Sequence, residues 1–240
     1  MNVFVLGASG RLGTLITREL EENQIAWDKL SRDDLLSQAT FLKKIAKHDK
    51  VIFIDVSLKE GTDSISKYLL DLLNENYPLQ VLGFLTGVTD LLNETEEKLK
   101  SLALKIPVAR LDNFSDGVFL LENIFKAKTP MGKTVLELIR ALGYDIGIYE
   151  AHHKNKLDKP SGTAKHLQGI LDLPNEKMAS LRVGSLIGEH HIVMSRECEE
   201  LRISHIAYER RLFAIAAVKY LKKMWELNGE AGYYDKTLLV

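Results

Sequence analysis

The sequence is short of three features that mark whole classes of protein: cysteine, an excess of one charge, and long apolar runs. Cys198 is its single cysteine in 240 residues, which excludes an internal disulfide and any metal site built from several thiolates. Lys and Arg number 32 against 33 Asp and Glu, so no overall basic field attracts nucleic acid. No window approaches the roughly 18 continuous apolar residues of a membrane span. We therefore expect neither a nucleic-acid partner nor a membrane partner.

The opening decapeptide MNVFVLGASG also lacks the basic leader and the long apolar stretch of a signal peptide. Together with the near absence of cysteine, this indicates a reducing compartment, and we expect a cytoplasmic protein. Hydrophobic residues make up 45% of the chain, which is enough to bury one large core or two modest ones.

The first half of the chain alternates short apolar runs with helical patterns. The runs NVFVL, IAWDKL, KVIFIDVS, LQVLGFL and IPVARL predict strands. Between them, DDLLSQATFLKKIAKH predicts a helix opened by Asp33 or Asp34, and NETEEKLKSLALK predicts a helix with Asn93 and Glu96 as a capping box. Such alternation is typical of a doubly wound parallel sheet. We therefore predict an α/β fold with a Rossmann-like parallel sheet.

The second half breaks this rhythm and predicts an inserted α+β domain. Two helical patterns, DGVFLLENIFKA and GKTVLELIRALG, precede the alternating run YDIGIYEAHH and several strands up to RISHIA. A long amphipathic helix, RRLFAIAAVKYLKKMWEL, then leads to the tail GYYDKTLLV. The predicted division assigns residues 1–113, completed by 211–240, to a dinucleotide-binding domain and residues 114–210 to the insert.

A glycine-rich turn, LGASGRLG, joins the first predicted strand to the first helix. Gly7, Gly10 and Gly13 permit a tight turn, close approach of a ligand to the backbone and close packing of the helix. The free N–H groups at the start of that helix favour a phosphate, and Arg11 adds a positive charge there. We therefore predict that this turn binds a dinucleotide.

The residue that follows the second strand reads the ribose of the dinucleotide. An acid such as Asp28 suits the 2′-hydroxyl of NAD, whereas the pair Ser31-Arg32 suits the 2′-phosphate of NADP. The sequence leaves both cofactors open. Arg11 and Arg32 could share one phosphate, which favours NADPH over NADH.

The stretch EAHHKNKLDKPSGTAKHL gathers proton carriers and anion-binding groups. His152 and His153 end the alternating run, Lys156 follows, and residues 161–163 (SGT) open a helix. A helix N-terminus with hydroxyls and a nearby ammonium suits a carboxylate, and histidine moves protons near neutral pH. A metal site is disfavoured because no third ligand stands at a suitable spacing. These residues predict a site that binds and protonates an acidic small molecule.

This stretch closely resembles the E-x-H-H-x-x-K-x-D-x-P-S-G-T-A signature of the 4-hydroxy-tetrahydrodipicolinate reductase family. GASGRLG, IDVS, TGVTD, DNFSDGVFLL, VGSLIGEHHIVM and GYYD resemble further family motifs in the same order, over nearly the whole chain. The resemblance implies NAD(P)H-dependent reduction of a cyclic dicarboxylate to tetrahydrodipicolinate, on the diaminopimelate route to lysine. It also implies a homotetramer joined through the inserted domain.

The resemblance further implies roles for individual residues. His152 would be the general acid, with Lys156 as its partner. The residues that would hold the substrate carboxylates are His153, Lys156, Ser161, Gly162 and Thr163. The residues that would contact the cofactor are Gly7, Gly10, Arg11, Leu12, Thr86, Gly87 and Asn113.

Some positions depart from the family pattern, and these departures leave an alternative function open. The loop GFLTG replaces the family's G-T-T-G, Asp116 stands at a usually apolar position, and Lys159 stands at a usual alanine. The alternative is a nucleotide-binding paralogue with weakened catalysis and a sensing role. His190 and His191 are expected to pack rather than catalyse, and His205 to satisfy buried backbone.

Overall fold

The computed structural model of the protein describes residues 1–75 and 77–239. The chain forms two compact units, one of Met1–Phe114 with the segment from Phe213, the other of Ser115–Leu212. The binding roles that the sequence assigns to these two parts stay predictions.

The strands and helices follow in chain order. The strands are β1 (Asn2–Leu6), β2 (Ala26–Leu30), β3 (Lys50–Asp55), β4 (Gln80–Thr86), β5 (Pro107–Arg110), β6 (Asp145–His152), β7 (Met178–Arg182), β8 (Gly188–Arg196), β9 (Glu199–Ala207) and β10 (Gly232–Tyr234). The helices are α1 (Arg11–Glu22), α2 (Gln38–Ile45), α3 (Lys59–Asn74), α4 (Asn93–Ala103), α5 (Asp116–Lys126), α6 (Val135–Ala141), α7 (Gly162–Ile170), α8 (Arg211–Glu226) and α9 (Lys236–Leu239).

The first unit contains a six-stranded sheet in the order β10-β5-β4-β3-β1-β2, and its strand pairs are parallel. Both faces of this sheet are buried, because alternate residues of β1 enter different cores. Val3 and Val5 pack in the core that holds residues of α1 and α8, whereas Phe4 packs in the core that holds residues of α2, α3 and α4. This arrangement confirms the predicted Rossmann-like fold.

The sheet extends one strand beyond the predicted series. β10 pairs with β5 in the register Gly232↔Pro107, Tyr233↔Val108 and Tyr234↔Ala109. The sequence indicates only a tail in this segment, since a three-residue strand has too few positions to show alternation. The first unit is therefore closed by residues that follow the inserted unit in the chain.

One predicted helix start and one predicted capping box were wrong. Asp33 and Asp34 belong to a short 3₁₀ turn, and α2 is capped by Ser37, which forms a reciprocal capping box with Thr40. At α4 the N-cap is Leu92 without a side-chain hydrogen bond. The predicted box at α4 does not form, and the carboxylate of Glu96 pairs with Arg110.

The second unit contains a mixed four-stranded sheet in the order β7-β6-β8-β9, with β6 and β7 parallel and the other pairs antiparallel. One face packs on α5 and α7 through a core that includes Phe125, Ile148 and Leu167. The opposite face, which we call the open face, carries Tyr149 and Ile206 at 37% and 40% exposure. This mixed sheet with helices confirms the predicted α+β insert.

Candidate functional site

The inner face of the second unit's sheet gathers the candidate catalytic groups. Glu150 and His152 lie two residues apart on β6 and so share one face, with His190 of β8 directly across from Glu150. The Nδ1 atom of His152 lies 2.5 Å from Glu150 Oε2. Glu150 is 0% exposed and His152 is 7% exposed. A buried carboxylate therefore holds the predicted general acid.

Several charges act on His152. Burial lowers the pKa of its imidazole below the ordinary value, and the positive charges of Lys156 and Arg182 lower it further. Glu150 acts against these effects, because its hydrogen bond and negative charge favour the imidazolium. The carboxylate is thus the group that opposes the loss of the proton from His152.

Arg182 belongs to this site and was missed in the sequence analysis. It lies at the end of β7, directly across from His152. Its Nη1 is 2.8 Å from Glu150 Oε1, and its Nη2 donates to the carbonyl of Asp158 at 2.6 Å. The arginine therefore ties the loop after β6 to the strand that carries His152. Only the register of two strands that are distant in sequence brings it there.

Ser161 caps the helix that follows the loop. Its Oγ accepts from the backbone N–H of Ala164 at 3.2 Å and lies 3.2 Å from Nε2 of His190. Burial lowers the pKa of His190 to about 3, so the ring that contacts this hydroxyl is neutral. Ser161 is 1% exposed, so its hydroxyl serves the cap rather than an open surface.

His205 forms a second pair of the same kind. Its Nε2 lies 3.0 Å from the Oγ of Ser115, the N-cap of α5. The expectation that His205 satisfies buried backbone was wrong, because its partner is a side chain.

The start of α7 carries the predicted carboxylate-binding groups. The backbone N–H of Gly162 donates to Asp158 Oδ2 at 3.3 Å, and Lys156 Nζ lies 2.7 Å from Asp158 Oδ1. A Cβ added to Gly162 would meet open space. Thr163 follows Gly162 in the first turn, and His153 precedes the loop with its carbonyl accepting from the backbone N–H of Lys156. These groups form an anion-binding arrangement that Asp158 fills.

The glycine turn of the first unit allows close backbone packing at the start of α1. Gly7 has a φ of +85°, and a Cβ there would lie 2.7 Å from the carbonyl of Val56. A Cβ on Gly13 would lie 2.0 Å from the carbonyl oxygen of Gly7, so helix α1 packs directly on the turn. The N-cap is Gly10, which has no side chain to bond the first N–H groups. An open helix N-terminus without a first-turn acid fits a pyrophosphate.

The other predicted cofactor residues lie around this turn or at the same edge of the sheet. Arg11 is exposed, whereas the side chain of Leu12 packs against the core. Thr86 is buried, with its hydroxyl bonded to Asp55 and to the backbone N–H of Val88. The remaining two positions are Gly87, where a Cβ would meet the ring of Phe114, and the half-buried Asn113.

The end of the second strand separates the two candidates for reading the ribose. β2 ends at Leu30, and Leu30 pairs with Leu6, so the segment from Ser31 lies beside the glycine turn. Asp28 lies inside the strand and pairs with Lys47 and His48 at 3.2 and 3.3 Å. This removes Asp28 as the residue at the strand end. Arg32 is exposed just beyond that end.

A buried carboxyl, Asp55, organises this edge and was not singled out from the sequence. Its Oδ1 accepts from the backbone N–H and the hydroxyl of Ser57, and its Oδ2 from the hydroxyls of Thr62 and Thr86. Burial raises the pKa of Asp55, and these hydrogen bonds oppose the rise. One side chain thus joins the ends of β3 and β4 to the start of α3.

Residues 1–75 and 77–239 offer neither a metal-binding cluster nor a membrane-spanning helix. They contain no group of three or more His, Cys, Asp or Glu side chains that could hold a metal ion. Within the same residues, no helix is long and apolar enough to span a membrane.

Comparisons with known proteins point to one family. The family described as dihydrodipicolinate reductase, C-terminus, matches residues 124–238. The 4-hydroxy-tetrahydrodipicolinate reductase of Helicobacter acinonychis (strain Sheeba) is 30% identical over 98% of each chain. That of Thermosipho africanus (strain TCF52B) is 32% identical over 76% of this chain and 75% of its own. A dipicolinate-bound dihydrodipicolinate reductase from Paenisporosarcina sp. TG-14 shares the fold, with a TM-score of 0.69 at 18% identity over 98% of this chain and 97% of its own.

Proposed function

The chain belongs to the 4-hydroxy-tetrahydrodipicolinate reductase family, a family of oxidoreductases, and we propose that it reduces 4-hydroxy-tetrahydrodipicolinate to tetrahydrodipicolinate. In this role it would act on the diaminopimelate route to lysine. The observation that carries the proposal is the buried contact between Glu150 and His152, beside a helix N-terminus suited to carboxylates. A cytoplasmic location stays a prediction.

The reaction needs a hydride and a proton. The 4-hydroxyl of the substrate leaves as water, which produces the conjugated cyclic imine, and a bound nicotinamide dinucleotide would supply the hydride to that imine. His152 supplies the proton that the electron-rich ring then takes up, and it does so from Nε2, because Nδ1 is bonded to Glu150. Lys156 raises the acidity of His152 through its positive charge.

The substrate carboxylates would bind at the start of α7. We propose that one carboxylate replaces Asp158 as the partner of Lys156 and of the N–H of Gly162, with Thr163 and His153 completing the set. The replacement exchanges one anion for another, so no cation is left without a partner. Binding the ring in this way holds it next to the proton donor.

We propose NADPH as the preferred cofactor, with Arg11 and Arg32 sharing its 2′-phosphate. The support is that both side chains are exposed, one in the glycine turn and one just after the neighbouring strand. Arg32→Ala should weaken NADPH binding by roughly ten- to a hundredfold, the worth of a hydrogen bond between charged groups, and change NADH binding little. Arg18→Ala, an exposed arginine on the same helix as Arg11, is the control. Equal losses for both cofactors in a fluorescence titration would exclude this role.

We also propose that the chain forms a homotetramer through the open face of the second unit. Tyr149, Leu181 and Ile206 are between 37% and 43% exposed on that face, and apolar side chains aligned on one sheet favour self-association. Family membership and the mixed sheet of the insert support this assembly.

The alternative of a sensing paralogue is not favoured. His152 and Lys156 are both present, and the relatives that match over nearly the full length are reductases. A coupled assay decides between them. Dihydrodipicolinate synthase, pyruvate and aspartate semialdehyde generate the substrate, and loss of absorbance at the nicotinamide band is followed with and without the protein. Nucleotide binding without any turnover would overturn the proposed reaction and support the alternative.

A further inference from the structure

The contact between Glu150 and His152 resembles another pair in the same unit, and the difference between them is informative. Glu189 and His191 are also two residues apart on one strand, with Glu189 Oε2 3.3 Å from His191 Nε2. That pair lies on the open face, where water reaches it. The first pair is buried, is closer at 2.5 Å, uses Nδ1 of the histidine, and has an arginine behind the carboxylate.

We propose that Glu150 and Arg182 form a positioning pair that fixes the tautomer of His152, so that the proton which leaves the ring is always the one on Nε2. This inference deepens the proposed function and rests on it. Glu150 and Arg182 are positioning residues, since they act on the substrate through His152.

Glu150 is ionised in the folded protein. Burial alone would raise its pKa, but hydrogen bonds from Ser180, Arg182 and His152 hold the pKa below the ordinary value. The carboxylate is therefore ionised and can only accept hydrogen bonds. Its partner atom, Nδ1 of His152, must then carry a hydrogen in both charge states of the ring.

The guanidinium of Arg182 neutralises the buried carboxylate and fixes its orientation. The side chain of Arg182 is 11% exposed, and its Nη2 is anchored on the carbonyl of Asp158. A carboxylate at 0% exposure would otherwise take up a proton. The protonated acid could then donate to Nδ1 and reverse the tautomer of His152.

The Nε2 side of the His152 ring is the side from which the proton would leave. Within residues 1–75 and 77–239, the hydrogen bond recorded for the ring of His152 is at Nδ1 and not at Nε2. A Cβ built on Gly188, at the start of β8, would lie 3.0 Å from this atom. Glycine at this position leaves Nε2 uncovered, which the transfer of its proton requires.

The test measures His152 directly. In protein labelled with ¹⁵N-histidine, NMR titration gives the tautomer and the pKa of each ring, and the His152→Gln variant assigns the signal. The wild type should show the Nδ1–H tautomer when neutral. In Glu150→Gln, the pKa of His152 should fall, because the carboxylate that favours the imidazolium is lost. Glu189→Gln, which removes the carboxylate of the other Glu–His pair, should leave His152 unchanged.

Kinetics provide the second measurement. Glu150→Gln should lower kcat at neutral pH by roughly ten- to a hundredfold, the worth of a hydrogen bond to a charged group, with KM nearly unchanged. The limb of the pH–rate profile that reports His152 should move to lower pH. Glu150→Asp keeps the charge and should return that limb towards the wild-type position.

Two results would overturn the positioning role. One is a folded Glu150→Gln protein with wild-type titration and pH–rate profile. The other is an Nε2–H tautomer in the neutral wild type, which can be observed even if the variant does not fold. Because the titration needs no substrate, it separates this inference from the proposed reaction. A wild type with the expected tautomer but without reductase activity would refute the reaction alone.

Discussion

Three histidines lie on the inner face of the second unit's sheet, and each has a different partner. His152 contacts the carboxylate of Glu150, whereas His190 and His205 contact serine hydroxyls that cap helices. A carboxylate stabilises the charged ring, and a hydroxyl between a helix N–H and a ring does not. Burial lowers the pKa of all three, so the carboxylate distinguishes the histidine that can carry a proton.

Removal of that histidine should affect turnover more than binding. His152→Ala should lower kcat by about 10²–10⁴, the usual contribution of a positioned general acid, with a small change in KM. His166→Ala, at an exposed histidine on α7, serves as the control. Steady-state kinetics and melting curves on both variants make the comparison. Near-wild-type turnover of a folded His152→Ala protein would contradict the mechanism.

His190 should make the protein sensitive to acid. Its pKa is about 3 in the folded chain, against an ordinary value of 6.5, so the unfolded chain binds more protons between these values. Its contribution to stability is complete above pH 6.5 and is lost as the pH falls towards 3, at about 1.4 kcal/mol per pH unit. Urea unfolding at several pH values from 7 to 4.5 gives the free energy of unfolding at each pH. This free energy should fall less steeply with falling pH for His190→Gln than for the wild type. Equal slopes would mean that His190 is charged in the fold.

At the scale of single elements, two glycines of the glycine turn should have different roles, one in folding and one in cofactor binding. A Cβ on Gly13 would lie 2.0 Å from the carbonyl oxygen of Gly7, whereas the nearest contact at Gly10 is 3.2 Å. Gly13→Ala should therefore destabilise the fold by about 1–3 kcal/mol or more. Gly10→Val should leave a folded protein that binds NADPH weakly, since its side chain fills the phosphate position.

A matched control is available at Gly169 in α7, where an added Cβ meets no atom within 4 Å. Gly169→Ala should keep both the melting temperature and the titration near wild type. A Gly10→Val protein with unchanged affinity for NADPH would rule out the turn as the phosphate site.

The elements also show how far sequence reasoning reaches. β3 was predictable because residues 51–54 form a continuous apolar run, and these residues and Asp55 are buried in the structure. The cap of α4 was not predictable, because Glu96 can bond either the helix N-terminus or Arg110, and only the folded chain brings that arginine near. In the same way, the motif around His152 indicated the acid, but the register of β6 with β7 was needed to find Arg182.

At the scale of the whole molecule, the open face should govern assembly. Val193 lies on it, directly across from Gly147 of β6 and Arg202 of β9. Val193→Lys should place a charge within the proposed interface and convert a species of about four chains to smaller ones, because burying an unpaired charge is costly. Leu120→Lys, at a residue 62% exposed on α5, is the control. Sedimentation velocity measures both, and a tetrameric Val193→Lys protein would exclude this face.

The α+β character of the second half was accessible from the change in pattern after residue 113, because periodicity reports local structure. The pairing of β10 with β5 was not accessible, since β10 is short and β5 precedes the whole insert. Pairings between distant segments depend on the folded chain and leave little trace in either segment alone.

The late position of β10 has a consequence for synthesis on the ribosome. Translation completes β5 first and then the entire second unit before Gly232 is added. During that interval the edge of β5 that β10 later covers presents unpaired N–H and C=O groups, and such an edge invites pairing with other nascent chains. The second unit has its own sheet and core and can fold while the first waits. Two neighbouring strands of the sheet, β5 and β10, are thus synthesised far apart in time. Chaperones that shield exposed strand edges would act on the first unit during this interval.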